Sequence, residues 1–494
     1  MNFKNITPEN AGVSSKDVKA LLKFYQDNGV ILHSVLLMKG NDLFGEFYYK
    51  PFDKDFCHRM YSETKSYVGI AIGLLEEEGK LKLDDKIVDF FPEKIDGELH
   101  EYLKDQTIEE MLCMTTCGVE YPYWFTSGDP DRTHMYLNKM VAHYPAGTAW
   151  SYDSTGSQVL CNLVEKLSGK SLFDYLNEKI FSHLETFKNA TILKTPNGDS
   201  WGDSALICTS RDMISFARFV MNYGTWNGKR LMNERYLKKA TSCVVGNATS
   251  GFRGYENYGY GYQIWRHQHG FSFNGMGSQF TICVPKKDLI MVCTASNCGY
   301  TPVANSLIFA GFEAFIINKM QDVALSEDKE AFDSLVEYAN SLEIEGCMGE
   351  KTSITADKIN QKTYIFRENP KGFKNFKFKF DGDGGILYYE NPQGKKQLEF
   401  KMQKNQFTKF PQFGYSNLVG AERTTDGFTY DCAVSAGWID ENRLMIRVQV
   451  IDKYFGNLAM VFSFKDKVAV VSMNKVAEDF FNEYTGNFVA DLQE

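Results

Sequence analysis

The stretch that decides the fold is His58-Arg59-Met60-Tyr61-Ser62-Glu63-Thr64-Lys65-Ser66-Tyr67-Val68-Gly69-Ile70-Ala71-Ile72-Gly73-Leu74-Leu75. Apolar residues recur from Val68 onward at the spacing of a buried helix face, which predicts a helix beginning near Ser62. Lys65 then projects from the same face one turn later. A serine hydroxyl becomes a nucleophile when a base accepts its proton, and a lysine serves as that base when its surroundings lower its pKa. Ser62 and Lys65 are therefore the candidate nucleophile and base.

The pattern Ser-x-x-Lys occurs three times in the chain, so the spacing alone does not identify a site. The copy from Ser326 to Lys329 lies in an acidic run that is typical of a solvated helix start. The copy from Ser472 to Lys475 follows an apolar run and is predicted at a strand end. The Ser62 copy leads into a long apolar helix, which would bury the surroundings of its lysine.

Length and charge limit the class of protein. The 494 residues exceed what one hydrophobic core organises, so two or three domains are expected. The net charge of -9 and the lack of a basic tract argue against nucleic acid as a partner. The N-terminus lacks the apolar core of a signal peptide, and no apolar run reaches membrane-spanning length. We therefore expect a cytoplasmic protein that does not enter a membrane.

Patterns typical of metal or nucleotide sites are weak. Eleven cysteines, an odd number without framework spacing, suit a reducing compartment. Cys113 and Cys117 are interpreted as buried thiols rather than a zinc pair, and His267 and His269 have no acidic neighbour in the sequence. The turn at 224–230 is one residue short of a phosphate-binding loop. We therefore expect neither a metal nor another cofactor.

Strand patterns flank a mainly helical middle. Two hairpins and a later helix are predicted over Leu32–Met38, Leu43–Tyr49, Phe280–Pro285, Leu289–Cys293 and Val303–Ile317. Strand pairs on both sides of a helical stretch indicate one mixed, mostly antiparallel sheet built from N- and C-terminal segments. We predict an α/β (α+β) domain over residues 1–325, with a helical insert at about 80–255. An aromatic loop at Tyr121–Phe125 could line its substrate cleft.

The pattern changes after residue 325. A charged helix at 326–343 is expected to link the domains, and period-two alternation begins beyond it, as in Phe376, Phe378 and Phe380. Alternating strands with Gly-rich turns predict an all-β barrel or sandwich over residues 344–494. The turn at Asp381–Gly385 lacks the bidentate acid of a full calcium loop, so calcium is a weaker interpretation of it.

A serine activated by a lysine also needs a proton relay and donors for the developing oxyanion. Tyr152 and the turn Gly275-Met276-Gly277 could supply them. At this point residues 8 to 318 resemble the serine β-lactamase and penicillin-binding superfamily, specifically its class C β-lactamase, D-alanyl peptidase and esterase branch. The resemblance rests on Tyr61-Ser62-Glu63-Thr64-Lys65, Pro145-Ala146-Gly147-Thr148, Ser151-Tyr152-Asp153-Ser154, Ser210-Arg211-Asp212 and Asn274-Gly275-Met276-Gly277-Ser278-Gln279.

The resemblance implies a role for each matching residue. It makes Ser62 the nucleophile of an acyl-transfer reaction, Lys65 the general base and Tyr152 the residue that passes the proton to the leaving group. The backbone N–H groups of Ser62 and Met276 would be the oxyanion donors. Ser154, Asn274 and Gly275 fall on the substrate-binding parts of the second and third motifs.

Two departures from the family pattern narrow the substrate. The second motif commonly ends in asparagine, where this chain has Ser154, whose shorter hydroxyl reaches a substrate amide less well. The third motif commonly opens with lysine or histidine, where Phe273 and Asn274 precede Gly275. Another register would bring His269 into that role, but the spacing to the following strand fits Asn274 better. Without the cation a substrate carboxylate loses its partner, so small esters or amides are the expected substrates.

Three functions therefore remain to be weighed. The first is a serine hydrolase of esterase or amidase type, which acts on a small-molecule ester or amide. The second is a binding protein that kept the β-lactamase fold with little or no turnover. The third is a weak β-lactamase or D-amino-acid peptidase. The C-terminal domain resembles accessory domains of the family only loosely, and it is compatible with a role in shaping the cleft or in forming a homodimer.

Overall fold

The computed structural model describes residues 3–118, 128–248, 254–298, 301–413, 429–454, 456–476 and 481–493. The chain divides into two compact units, one formed up to Leu342 and the other from Glu343 onward. The aromatic loop at Tyr121–Phe125 lies outside the described residues. Within those ranges no helix combines the length and the apolarity that crossing a bilayer requires. The eleven cysteines are free thiols. The cytoplasmic location stays a prediction.

The strands in the described part of the first unit are β1 Lys4–Asn5, β2 Leu32–Lys39, β3 Asp42–Tyr48, β4 His58–Arg59, β5 Thr191–Ile192, β6 Leu206–Cys208, β7 Thr225–Trp226, β8 Lys229–Arg230, β9 Trp265–His267, β10 Gly270–Gly275, β11 Gln279–Val284 and β12 Leu289–Ala295. Seven of these strands form one mixed sheet in the order β1-β3-β2-β12-β11-β10-β9. Strand β2 pairs antiparallel with β12, so the N-terminal hairpin and the later strands share one sheet, and β1 lies parallel to β3. The predicted mixed sheet with a helical insert is thereby confirmed.

Helix α2 is buried along nearly its whole length, from Thr64 to Leu75. Apolar side chains cover more than one of its faces, as expected of a helix packed inside a domain, and α6 lies against it. The helices of the first unit are α1 Ser15–Asp27, α2 Thr64–Glu77, α3 Glu101–Lys104, α4 Ile108–Leu112, α5 Arg132–Lys139, α6 Ser154–Ser168, α7 Leu172–Leu176, α8 Ser182–Leu184, α9 Ser210–Met221, α10 Glu234–Ala240, α11 Thr301–Phe312 and α12 Lys329–Asn340.

Local capping signals set several helix starts. Ser14 caps α1, and Thr107 with Glu110 forms a capping box at α4. The cap of α9 is Thr209, whose hydroxyl accepts from the Asp212 N–H while the Asp212 carboxylate accepts from the Thr209 N–H. The helix predicted to continue to Ile317 ends as α11 at Phe312 and passes into a π-helical turn over Glu313–Ile317.

The second unit is a β-barrel. Strands β13 to β22 form one sheet, and an additional parallel pairing between β16 and β18 closes nine of them into a ring that leaves out β17. The structure therefore confirms the predicted all-β unit as a barrel rather than a sandwich. Its elements are α13 Ile354–Ile359, β13 Thr363–Phe366, β14 Asn375–Asp381, β15 Gly384–Asn391, β16 Gly394–Met402, β17 Gln406–Phe413, β18 Thr429–Asp440, β19 Arg443–Val450, β20 Asn457–Lys465, β21 Val468–Val476 and β22 Gly486–Leu492.

Candidate active site

Ser62 lies in a single 3-10 turn, Tyr61–Glu63, that leads directly into α2. Tyr61 has a φ of +50°, a left-handed conformation that costs a residue with a side chain about 1 to 3 kcal/mol. The surrounding packing holds this turn: the Met60 N–H donates to the Leu206 carbonyl at 2.7 Å, and the Arg59 guanidinium stacks 4.5 Å from the Tyr61 ring centroid. The turn therefore presents the serine at the N-terminus of a buried helix.

Lys65 reaches back to this serine. Its Nζ lies 3.0 Å from Ser62 Oγ and donates to the Asp203 carbonyl oxygen at 2.7 Å. The lysine is only 1% exposed, because α2 and the chain around Asp203 enclose it. The two side chains thus have the contact that proton transfer between them requires.

A buried ion pair lies behind the lysine. Arg132 donates one hydrogen bond to Asp203 Oδ1 and another to Thr155 Oγ1, both at 2.9 Å. The other carboxylate oxygen of Asp203 lies 4.0 Å from Lys65 Nζ, and both partners of this contact are almost completely buried. Removal of one member of a buried pair would leave an uncompensated charge. Arg132 therefore stabilises the position of Asp203, whose carbonyl oxygen accepts a hydrogen bond from Lys65.

Tyr152 stands beside Lys65, in the segment just before α6. Its ring centroid is 5.2 Å from Lys65 Nζ. The ring stacks on Trp265 of β9 at 5.7 Å between centroids and 22° between planes, which fixes the phenol at the edge of the sheet. Asp153, the residue after Tyr152, caps α6 by accepting from the Gly156 N–H. This hydrogen bond fixes the chain directly after the tyrosine.

The end of β10 packs on the Ser62 turn. A Cβ added at Gly275 would lie 2.1 Å from the Met60 carbonyl oxygen, so only glycine permits this approach. The following turn has positive φ at Gly277 and Ser278, +76° and +72°. The Gln279 side chain donates to the carbonyl oxygens of Met276 and Ala295, at 3.3 and 2.7 Å. The backbone around the Met276 N–H is therefore held in place before any substrate binds.

The remaining predicted residues take separate positions. Ser154 is buried in the first turn of α6. Asn274 donates from Nδ2 to Glu256 Oε1 at 3.2 Å. His269 Nε2 lies 3.0 Å from Glu313 Oε1, so the fold supplies the acidic partner that the neighbouring sequence lacks. The structure thus brings Ser62, Lys65 and Tyr152 together and leaves His269 in the turn before β10.

The other two Ser-x-x-Lys copies lack this environment. Ser326 is exposed before α12, and Lys329 is solvated and pairs with Asp333, as the acidic run predicts. Ser472 lies within β21 rather than at its end, and Lys475 donates to Asn482. Among the three copies, the one at Ser62 combines a buried lysine with a contact to the serine.

Sequence reasoning missed two carboxyl groups close to the site. Both Glu63 oxygens are buried, and burial raises the pKa of this carboxyl to about 8, while Thr281 partly opposes that shift. Burial also raises the pKa of Glu256 to about 7, while Asn274 and Tyr255 partly oppose that shift. The signal for Glu63 was an acidic residue placed just before an apolar helix. No sequence signal marks Glu256, because its partner Asn274 comes from a distant strand.

Comparison with known proteins identifies the family. Residues 22–309, more than half of the chain, match the family model described as Beta-lactamase. The 6-aminohexanoate-dimer hydrolase of Paenarthrobacter ureafaciens is 22% identical over 218 residues, which are 41% of this chain and 55% of that protein. Penicillin-binding protein 4* of Bacillus subtilis (strain 168) is 26% identical over 141 residues, which are 27% of this chain and 30% of that protein.

The chain thus spans about half of the length of the first curated relative and about a third of the length of the second. A solved Bacillus anthracis structure, provisionally assigned as a 6-aminohexanoate-dimer hydrolase, superposes with a TM-score of 0.53 at 19% identity. That superposition covers 64% of this chain and 87% of the other, and at this identity it shows the fold alone. The family model spans most of the first unit and includes Ser62, Lys65 and Tyr152. The chain therefore belongs to the Beta-lactamase family.

Proposed function

We propose that the chain is a serine hydrolase that cleaves a small ester or amide through an acyl-enzyme. The observation that carries the proposal is the 3.0 Å contact between Ser62 Oγ and the buried Lys65 Nζ. Membership of a family of hydrolases supports it. Relatives named for hydrolysis of a 6-aminohexanoate dimer favour amide or ester cleavage as the reaction class.

The geometry is compatible with a complete acyl-transfer cycle. Ser62 Oγ attacks the carbonyl carbon of the substrate while its proton passes to Lys65 Nζ. The Lys65 and Tyr152 pair then delivers a proton to the leaving oxygen or nitrogen, and the bond from that atom to the carbonyl carbon breaks. A water molecule attacks the resulting ester of Ser62 and gives up its proton to the same pair. The bond from the acyl carbon to Ser62 Oγ then breaks, the pair returns the proton to Oγ, and the acid is released. Proton transfer of this kind typically contributes 10²–10⁴-fold in rate.

The tetrahedral intermediate needs donors for its oxyanion. The Ser62 N–H lies at the start of α2, where the helix dipole favours negative charge. The Met276 N–H belongs to the turn that packs on the Ser62 segment through Gly275. Removal of one such donor costs about 3 kcal/mol of transition-state stabilisation. Because Gln279 holds the turn, little reorganisation would be needed when the charge develops.

The direct test is labelling with a fluorophosphonate together with turnover of p-nitrophenyl butyrate. We expect the intact protein to be labelled at Ser62 and to hydrolyse the ester, and Ser62→Ala to lose both properties. The matched controls are Ser326→Ala and Ser472→Ala, which remove the serines of the other two Ser-x-x-Lys copies and should change neither property. The proposal would be refuted if Ser62 were not labelled and the wild type and Ser62→Ala hydrolysed the ester at equal rates.

The departures at Ser154 and Phe273 favour a second candidate, a binding protein that keeps the fold with little turnover. Absence of both labelling and ester hydrolysis would support this alternative. We expect nitrocefin, whose β-lactam carries a carboxylate, to be turned over far more slowly than the neutral ester. The reason is that Asn274, on the strand segment where the family commonly has a cation, lies against the acidic Glu256. Rapid nitrocefin turnover would show that this reasoning is wrong.

A further inference from the structure

Asn274 carries a buried polar atom that has no hydrogen-bond partner among the described residues. The side chain is 8% exposed, and its Nδ2 donates to Glu256 Oε1 at 3.2 Å. Its Oδ1 is buried and makes no hydrogen bond with any described residue. A buried acceptor without a donor destabilises the fold, so such an atom is unusual unless a ligand or water supplies the donor. The atom is therefore a candidate contact for a bound molecule.

Glu256 determines which atom of the Asn274 amide lacks a hydrogen-bond partner among the described residues. The ionised carboxylate accepts from Nδ2, so Oδ1 is the atom that remains, and in that charge state an amide flip would place two acceptors against each other. Glu256 is itself half-buried and held in place. The Asn247 side chain donates to the Glu256 carbonyl oxygen at 2.7 Å, and the Tyr255 ring stacks 3.7 Å from Phe309. These contacts restrain the chain at Glu256, and its carboxylate interacts with the Tyr255 hydroxyl as well as with Asn274. The Asn274 Oδ1 atom and the Glu256 carboxylate are therefore neighbouring acceptors.

These acceptors lie next to the part of β10 that meets the nucleophile turn. Gly275, which follows Asn274, approaches the Met60 carbonyl oxygen so closely that a Cβ would lie 2.1 Å from it. Strand β9 pairs with β10 over Gly270 to Ser272. The edge of β10 beside Asn274 therefore lies beyond this pairing, close to the Met276 turn. Asn274 thus lies on the strand end that contacts the nucleophile turn, with Glu256 against it.

We propose that Glu256 and Asn274 form a subsite for a cationic nitrogen of the substrate, such as a primary ammonium group. The inference rests on the proposed function and narrows its substrate class. A carboxylate and an amide oxygen both accept hydrogen bonds, so an ammonium group can donate to each of them. A substrate carboxylate would instead face two acceptors and one like charge. The subsite therefore favours a positively charged substrate group and disfavours a carboxylate.

The test compares three ligands of equal chain length, hexylammonium, hexan-1-ol and hexanoate, as inhibitors of p-nitrophenyl butyrate hydrolysis at pH 8. With the wild type we expect hexylammonium to inhibit at least tenfold more strongly than hexanoate, with the alcohol between them. Glu256→Gln should lower the ratio of the two charged inhibitors at least tenfold, and Glu256→Lys should reverse it. Glu313→Gln is the matched control, because that carboxylate pairs with His269, and it should leave the ratio unchanged.

Equal inhibition by the two charged ligands, or a ratio unchanged in folded Glu256→Gln, would overturn the subsite. Circular dichroism establishes that each variant is folded. The same ligands are also titrated into the full-length protein by calorimetry, which does not depend on turnover. Binding of hexylammonium that depends on Glu256 in a protein that hydrolyses no ester would support the subsite and reject the proposed function. Ester hydrolysis at Ser62 without a preference for hexylammonium would support the proposed function and reject the subsite.

Discussion

The substitution Glu63→Gln tests whether a neutral carboxyl group lies beside the nucleophile. Burial raises the pKa of Glu63 from 4.5 to about 8, because removal from water destabilises the charged form more than Thr281 stabilises it. Between these two pKa values the folded chain binds more protons than the unfolded chain does. Its stability must therefore fall as the pH rises, and the fall is complete once the pH exceeds the folded-state pKa.

The magnitude follows from the two pKa values. With 4.5 in the unfolded chain and about 8 in the folded chain, linkage gives a loss of about 3 kcal/mol between pH 5.5 and pH 8.5. Glutamine has nearly the same shape and does not titrate, so Glu63→Gln should remove this part of the pH dependence. The buried amide has its own cost, but that cost is the same at every pH.

The assay is urea unfolding at pH 5.5, 7.0 and 8.5, followed by tryptophan fluorescence. Five of the six tryptophans precede residue 343, so the signal reports mainly on the unit that contains Glu63. We expect the wild-type stability to fall by about 3 kcal/mol more than that of Glu63→Gln across this range. The exposed Glu330→Gln is the control and should follow the wild type. Parallel pH profiles of the wild type and Glu63→Gln would refute the reasoning, because they would mean that Glu63 is ionised at little cost.

Four further predictions concern the site and its supports. Lys65→Ala and Tyr152→Phe should each slow acylation at least a hundredfold with the fold intact, and an unchanged burst phase would remove that residue from the mechanism. Arg132→Met should cost about 3 to 5 kcal/mol in urea unfolding, since it leaves a buried carboxylate uncompensated; a loss below 1 kcal/mol would contradict this. Gly275→Ala should lower kcat more than it raises KM, because the new Cβ would lie 2.1 Å from a backbone carbonyl oxygen, and wild-type kinetics would show that the turn tolerates displacement. Because the pKa of Glu256 is about 7, binding of hexylammonium at pH 7 should release about half a proton, measured by calorimetry in buffers of different ionisation enthalpy, and no proton release would show that its charge does not change.

Periodicity predicted the elements of this fold because burial itself is periodic. The apolar run after Ser62 could only be accommodated as an internal helix, and α2 is buried from Thr64 to Leu75. Alternation at Phe376, Phe378 and Phe380 predicted β structure, and both Phe376 and Phe378 point into the barrel core. Closure into a barrel rather than a sandwich depends on the pairing of β16 with β18, which no local pattern encodes.

The candidate site could be predicted only where its chemistry lies within one element. Ser62 and Lys65 are three residues apart on one helix start, so their spacing is visible in the sequence. Arg132 and Asp203 are 71 residues apart, and packing of several helices is needed to bring them together. The left-handed conformation of Tyr61 is equally hidden, because tyrosine has no preference for it and tertiary contacts impose it.

The acidic side chains around the nucleophile show how one fold gives carboxyl groups different charges. Asp203 is ion-paired with Arg132, so it can approach Lys65 without adding an uncompensated charge. Glu63 has no such partner among the described residues, and burial keeps it protonated at neutral pH. Glu256 is half-buried, with a pKa of about 7, so a bound cation would stabilise its ionised form. Binding of a cationic substrate would therefore create the negative charge that holds it, whereas a carboxylate substrate would need Glu256 to stay protonated. The preference for a cation thus follows from how easily each neighbouring group can change its charge.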